Sequence, residues 1–177
     1  VPAKALGEVT KMLDNENSAE IKMQLDAKGG RVTFASSQAE VVTRLIEGAF
    51  PAYEKIIPSK WTTRVKLDRE DFVKAVRLAQ VYAKETANIV KLVTGEGKMI
   101  VTANSPQVGE NKTTLEAQVE GEGGETCFNT RFLLDFLNSL GNENIILETS
   151  NPLAPGLFRV PENEDAFHII MPVRVQN

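Results

Sequence analysis

Apolar positions recur with a helical period in three stretches of the chain, and between them they alternate with polar ones in short runs closed by turn residues. In Ala3–Leu13, Leu6, Val9, Met12 and Leu13 fall on one face of a helical wheel. Lys4 and Lys11 lie opposite, and Pro2 suits the first turn. A second helix is expected over Arg69–Lys84, with Asp68 as its N-cap, Phe72, Val76, Ala79 and Ala83 inward, and Lys74, Arg77 and Lys84 outward. The third covers Thr130–Leu140, where Phe132, Leu133, Phe136, Leu137 and Leu140 form the apolar arc and Gly141 the stop.

Strands are expected at Glu20–Leu25, Arg31–Ala35 and Glu40–Ile46, the first two joined as a hairpin by Lys28-Gly29-Gly30. Further strands follow at Thr62–Leu67, Ile89–Thr94, Lys98–Ala103, Thr113–Val119, Glu125–Phe128, Asn144–Thr149, Gly156–Val160 and Ala166–Val175. Gly95-Glu96-Gly97 and Gly121–Gly124 read as turns, the latter as a hairpin turn. The helices begin roughly 60 residues apart, which is an internal repeat of weak sequence identity. The expected fold class is therefore α+β: repeated units of a short helix packed on antiparallel sheet. The first unit lacks a full partner, which is expected to precede Val1, and a chain opening at Val1 without Met reads as a processed or engineered fragment.

Composition narrows the function classes. Of 177 residues, 42% are hydrophobic and 25% charged, as in a folded domain rather than a disordered or collagen-like chain. No apolar run approaches the ~20 residues of a membrane-spanning helix. A single cysteine, Cys127, cannot close an internal disulfide or build a cysteine-ligated zinc site, which fits a reducing compartment. The net charge of −4 argues against gripping nucleic acid over the whole surface, so the positions of the basic residues matter more than their number. Lys4 and Lys11, with Lys74, Arg77 and Lys84, could form one stripe able to meet phosphates, or simply a solvated helix surface. No aromatic residues interleave with it, so stacking on single strands is not suggested.

Enzyme chemistry finds little support. Cys127 and the one histidine, His168, are the candidates for a small hydrolase, yet nothing in their spacing brings them together. Gly121-Glu122-Gly123-Gly124 is flanked by Glu120 and Glu125 and would repel phosphate. Glu162-Asn163-Glu164-Asp165 lacks calcium-loop spacing and reads as a solvated loop. The continuous apolar run Ile169-Ile170-Met171-Pro172-Val173-Arg174-Val175 suggests either a strand buried on both sides or one wall of a pocket.

Several segments resemble the bacterial DNA polymerase III beta sliding clamp family. Leu45–Pro58 (LIEGAFPAYEKIIP) is similar to the end of its middle domain. Phe128–Asp135 (FNTRFLLD) is similar to the second helix of its C-terminal domain, and Ile170-Met171-Pro172-Val173-Arg174 to its C-terminal signature. Val1-Pro2-Ala3-Lys4 and Thr102-Ala103-Asn104-Ser105 fit in the same order.

The resemblance spans essentially the whole chain. It implies the second half of the middle domain over residues 1–58 and the C-terminal domain over 59–177, with the parts before them missing. It further implies a cytoplasmic, non-catalytic ring that encircles duplex DNA without reading sequence, serves polymerases, repair proteins and a clamp loader, and needs no cofactor or metal. Short motifs of partners would dock in a groove formed by Pro51, Lys55, Ile56, Asn129, Phe132, Leu153, Pro155, Ile169, Met171, Pro172, Val173 and Arg174, a groove left incomplete here because a loop upstream of Val1 is absent. Lys4, Lys11, Lys74, Arg77 and Lys84 would face DNA, and Tyr82 and Ala83 would sit at the joint of a head-to-tail homodimer, which this chain alone cannot close. A stand-alone clamp-like adaptor that never encircles DNA is the alternative of a different class.

Overall fold

Val9 and Met12 are the two positions of the first helix that the fold hides, and the elements around them follow from that. The computed structural model describes residues 1–16, 20–27, 29–141, 143–161 and 163–175. Helix α1 (Ala3–Glu16) starts where the Pro2 carbonyl accepts from the Ala5 and Leu6 amides at 3.0 and 3.3 Å. Strands β1 (Lys22–Leu25), β2 (Arg31–Ala35) and β3 (Glu40–Arg44) form an antiparallel sheet in that order, β1 beginning at Lys22 rather than at the expected Glu20. Val32 and Phe34 alternate inward on β2 and meet Val9, whereas all four residues of β1 are exposed. Leu6 was expected on the buried face but is exposed, because this core is small and ends at Val9 and Met12. Lys28, in the expected turn, lies outside the described residues.

The chain divides into two compact units, Val1–Pro51 and Ala52–Asn177. The division precedes the Pro58 boundary read from sequence. A 3-10 turn at Tyr53–Lys55 packs within the second unit, its Tyr53 ring 6.5 Å from that of Phe167.

In the second unit, strand β4 (Thr63–Asp68) alternates Thr63, Val65 and Leu67 inward. It runs into helix α2 (Arg69–Ala83), capped where the Asp68 carboxylate accepts from the Asp71 amide at 2.8 Å. Glu70 and Asp71 suit the positive end of the helix dipole. The helix stops as Ala87 and Asn88 turn left-handed and the Asn88 amide returns to the Ala83 carbonyl at 2.8 Å. Strands β5 (Ile89–Gly95), β6 (Lys98–Ser105), β7 (Gly109–Glu116), β8 (Gln118–Gly121) and β9 (Gly124–Asn129) follow. Helix α3 (Thr130–Asn138) is capped by Asn129, which accepts from the Arg131 amide at 2.9 Å. Strands β10 (Asn144–Thr149), β11 (Gly156–Val160) and β12 (Asn163–Ile170) close the order.

Two antiparallel sheets result: β12-β11-β10-β4-β8, and β7-β6-β5-β9. Helix α2 packs on β5, β6 and β7, α3 on β9 and β12, and the two helices on each other. Phe128 of β9 meets Phe158 of β11 edge-on at 5.7 Å, and Phe136 of α3 lies 5.3 Å from the same ring. One core therefore serves both sheets and both helices.

Four expectations need correction. The single strand expected over Thr113–Val119 is two, because the chain leaves one sheet for the other at Ala117, whose amide bonds to the Gly97 carbonyl at 2.9 Å. For the same reason Gly121–Gly124 is a crossing between sheets rather than a hairpin turn. The last strand ends at Ile170 rather than Val175: Pro172 has no amide to give a ladder, and the Val173 amide donates to the Cys127 carbonyl instead, at 2.8 Å. Glu162 lies outside the described residues, and Asn163 opens β12 rather than a loop.

Candidate functional site

The twelve residues assigned to a groove fall in several places. Pro51 ends the first unit, while Lys55 and Ile56 lie exposed at the 3-10 turn of the second. Asn129 serves first as the cap of α3, and its amide nitrogen donates to the Ala87 carbonyl at 3.3 Å. Phe132 was read as part of the buried arc of α3, yet it is 57% exposed, with Leu134 buried in its stead. Met171, 59% exposed, follows β12 directly, next to half-buried Pro172 and one residue past Ile170, which enters the core. Ile169 sits opposite Leu157 in the β11–β12 pairing, and Pro155 is half-buried in the loop before β11. An aromatic ring, a methionine and an isoleucine thus stand at the surface of the second unit, each on or beside a rigid element.

Leu153, Val173 and Arg174 are drawn together around a cavity of about 720 Å³. Its floor is the face of β5, β6 and β9 turned away from the core, where Thr102, Lys91 and Cys127 form one cross-strand row. The Lys91 ammonium is 2.6 Å from the Glu125 carboxylate, which holds its pKa above the ordinary lysine value. Burial pushes the Cys127 thiol up, with Lys91 pulling it partly back, so the sulfur favours the unreactive thiol.

His168 belongs to the other sheet, its ring stacked on Phe136 at 4.9 Å and 14°. Cys127 and His168 therefore have different neighbours on different sheets, which is not how a nucleophile and its base are arranged. Burial against Phe136 lowers the His168 pKa below 6.5, with Asp135 opposing the shift. A histidine that binds its proton less readily when folded leaves stability intact above the unfolded pKa and erodes it as pH falls through and below 6.5. Melting temperature should accordingly fall more between neutral pH and pH ~5 in the parent than in His168→Gln. Equal falls in the two proteins would contradict this.

The basic residues divide by unit. Lys4 and Lys11 are exposed on α1, and Lys11 pairs with Glu8 at 2.9 Å. Lys74, Arg77 and Lys84 are exposed along α2. Lys74 is shared by Asp71 at 3.3 Å and Glu70 at 3.4 Å, and Arg77 donates to the Asn138 side chain of α3 at 3.0 Å. Exposed pairs of this kind are weak enough to exchange for phosphate. Of the two residues assigned to a subunit joint, Tyr82 is half-buried, but Ala83 is wholly enclosed in the core and has no side-chain surface to offer. Leu78 and Val81 carry the exposed apolar surface of α2.

Residues 54–174 match the model of the family described as DNA polymerase III beta subunit, C-terminal domain. The chain belongs to that family. It is 27% identical over 177 residues to beta sliding clamps of Staphylococcus aureus and Chlamydia pneumoniae, covering 98% and 100% of this chain but 46% and 47% of theirs. Among solved structures it superposes on the beta subunit of Thermotoga maritima with TM-score 0.82 at 28% identity, over 98% of this chain and 47% of that one. On the sliding clamp of Bartonella birtlesii bound to griselimycin the TM-score is 0.84 at 29% identity, over 99% and 47%. The chain thus spans about half the length of the curated relatives it matches.

For this beta-subunit domain, sequence reasoning missed most of the cavity. Ile89 and Lys91 were read only as strand residues, Thr102 as a strand residue within a family-like segment, and Cys127 as a strand residue and a rejected nucleophile. The available signal was weak: on β5 and β9 the positions facing away from the core still include Ile89 and Cys127. Which strands stand side by side, and what lies over them, is a property of the folded chain.

Proposed function

We propose that this chain is part of a bacterial replication sliding clamp, the non-catalytic processivity subunit of a DNA polymerase, acting in the cytoplasm. The family match over residues 54–174 carries the reading. Residues 1–58 are the second half of the middle domain and 59–177 the C-terminal domain of a ring that, complete, encircles duplex DNA as a homodimer. Polymerases, repair proteins and the clamp loader dock by short motifs on Pro51, Lys55, Ile56, Asn129, Phe132, Leu153, Pro155, Ile169, Met171, Pro172, Val173 and Arg174. Tyr82 lies at the subunit joint, with Leu78 and Val81 supplying the apolar surface that buried Ala83 lacks.

Exposed Met171 supports the docking role, since a soft, adaptable side chain held beside a strand end suits apolar anchors of varied shape. Met171→Ala in the full-length clamp should weaken binding of a partner peptide by ~1–3 kcal/mol, roughly ten- to a hundredfold. Thermal stability should barely change, because an exposed methionine adds little to the core. Titration calorimetry beside thermal melts separates the two effects, and unchanged affinity in a folded variant would remove Met171 from the site.

Lys4, Lys11, Lys74, Arg77 and Lys84 face the duplex by charge alone. Reversing Lys74 and Arg77 to Glu in the full-length ring should shorten its residence on circular DNA and reduce the salt dependence of retention by the phosphate contacts removed. Unaltered retention at low salt would place these residues elsewhere.

A further inference from the structure

The outward side of the five-stranded sheet carries a second, smaller cavity. Val65 of β4 and Ile145 and Leu147 of β10 point into the core, so Arg64 and Glu148, opposite each other in the β4–β10 register, point the other way. The Nε atoms of Arg64 and of Arg159 on β11 each lie 3.3 Å from a different oxygen of the Glu148 carboxylate. The chain entering β4 passes beside this cluster. Ser59, Lys60 and Trp61 close a cavity of about 210 Å³ against Glu148, Thr149 and Arg159. None of these residues is assigned to docking, to the duplex or to the subunit joint.

The lining selects its occupant by exclusion. Hydroxyl and charged groups dominate it, so it offers no apolar hole for an aliphatic anchor. The Glu148 carboxylate is already held by two guanidiniums and leaves nothing for a cation. What stands unanswered is a positive charge beside an aromatic face. Lys60 is exposed and makes no hydrogen bond or ion pair among the described residues, and Glu120, in register with Arg64 on β8, lies across β4 from the cavity. Trp61 is 40% exposed, its ring steadied by the Arg64 guanidinium 6.0 Å from the ring centre. An ammonium for an anion and a ring for a flat group, side by side, hold a nucleotide without reading its base. The cavity is smaller than the ~300–1,000 Å³ that encloses a drug-sized ligand, so it takes the phosphate and leaves the base at its mouth, on the indole.

We infer that this cavity binds a 5′-phosphorylated nucleotide, with the phosphate on Lys60 and Ser59 and the base on Trp61. A free mononucleotide and the 5′ end of a single strand present the same group, and the experiment tells them apart.

Trp61 is the chain's single tryptophan, so its fluorescence reports on this cavity alone. The full chain is titrated with thymidine 5′-monophosphate, with thymidine, and with oligothymidylate carrying a 5′-phosphate or a 5′-hydroxyl, inorganic phosphate serving as competitor. The monophosphate should quench Trp61 saturably at millimolar concentration or below, and thymidine and inorganic phosphate should each bind at least about tenfold more weakly. Added salt should weaken the monophosphate. Lys60→Glu should weaken it about tenfold or more while Lys60→Arg keeps it, with melting temperatures unchanged because Lys60 is exposed. Tighter binding of the 5′-phosphorylated strand than of the monophosphate assigns the site to strand ends. Equal binding of the two assigns it to free nucleotide, and either result upholds the inference. It is overturned by the absence of saturable quenching, by thymidine or inorganic phosphate binding as well as the monophosphate, or by undiminished affinity in folded Lys60→Glu. A phosphotyrosine peptide that outbinds the nucleotide overturns it too, making the site one for protein.

Discussion

Phe128→Ala should lower the stability of the second unit by about 3–5 kcal/mol, read from the midpoint of urea denaturation. Phe128 has no exposed surface and holds the place where β9, β11 and α3 meet, edge-on to Phe158, which in turn lies against Phe136. The space is defined from the far side by Gly156, where a methyl group would come within 2.5 Å of the phenyl ring. Removing the ring leaves a hole that the surroundings cannot close. β9 is fixed to β5 by a ladder running from Asn129 to Gly124, and β11 is paired on both edges. The cost therefore sits at the upper end for aromatic truncation. A loss below ~1 kcal/mol would mean that the two sheets do not share a core.

Gly121→Ala should be nearly as damaging, by a different route. Gly121 has φ +93°, and a Cβ there would lie 1.9 Å from the Thr62 carbonyl oxygen. That oxygen accepts from the Glu122 amide at 3.2 Å, and Gly121 itself is in register with Thr63, so the clash strikes backbone that cannot rotate away. Left-handed strain of ~1–2 kcal/mol adds to the cost of pushing β8 off β4, for a total on the order of 2–4 kcal/mol. Gly29→Ala is the control: it also has positive φ, at +69°, but nothing lies within reach of its Cβ. It should cost about 1 kcal/mol or less. Thermal melts showing equal losses for the two would indicate that β8 yields without penalty.

How far the fold was legible depended on whether the deciding contact was local. Helix α2 was readable because Asp68, Phe72, Val76, Ala79 and Ala83 are cap and core stripe of one continuous segment. The break at Ala117 was not. Thr113, Leu115, Ala117 and Val119 keep an unbroken alternation as the chain changes sheets, because both sheets cover the same core and inward stays inward. Phe132 deceived in the opposite sense, for its place on the wheel adjoins the apolar arc of α3, but the helix is buried through Leu133, Leu134, Phe136 and Leu137. Its assignment to docking came from resemblance to a family rather than from periodicity. The cavity was the least accessible, since Lys91, Cys127, Leu153 and Arg174 come from segments far apart in the chain and meet only once two strands, a loop and a tail have been placed.

The position of β4 has a bearing on how the protein is made. It lies between β10 and β8, pairing through Thr63 with Thr149 on one side and Gly121 on the other, so both of its neighbours are synthesised long after it. While α2, β5 and β6 emerge from the ribosome and can already settle on one another, β4 waits with both edges bare. The five-stranded sheet begins to close only when β8 has been threaded in from the other sheet, and it is complete only once β12 has joined β11. Met171 follows β12 directly in the chain, so it leaves the ribosome only after every strand of the domain has been synthesised.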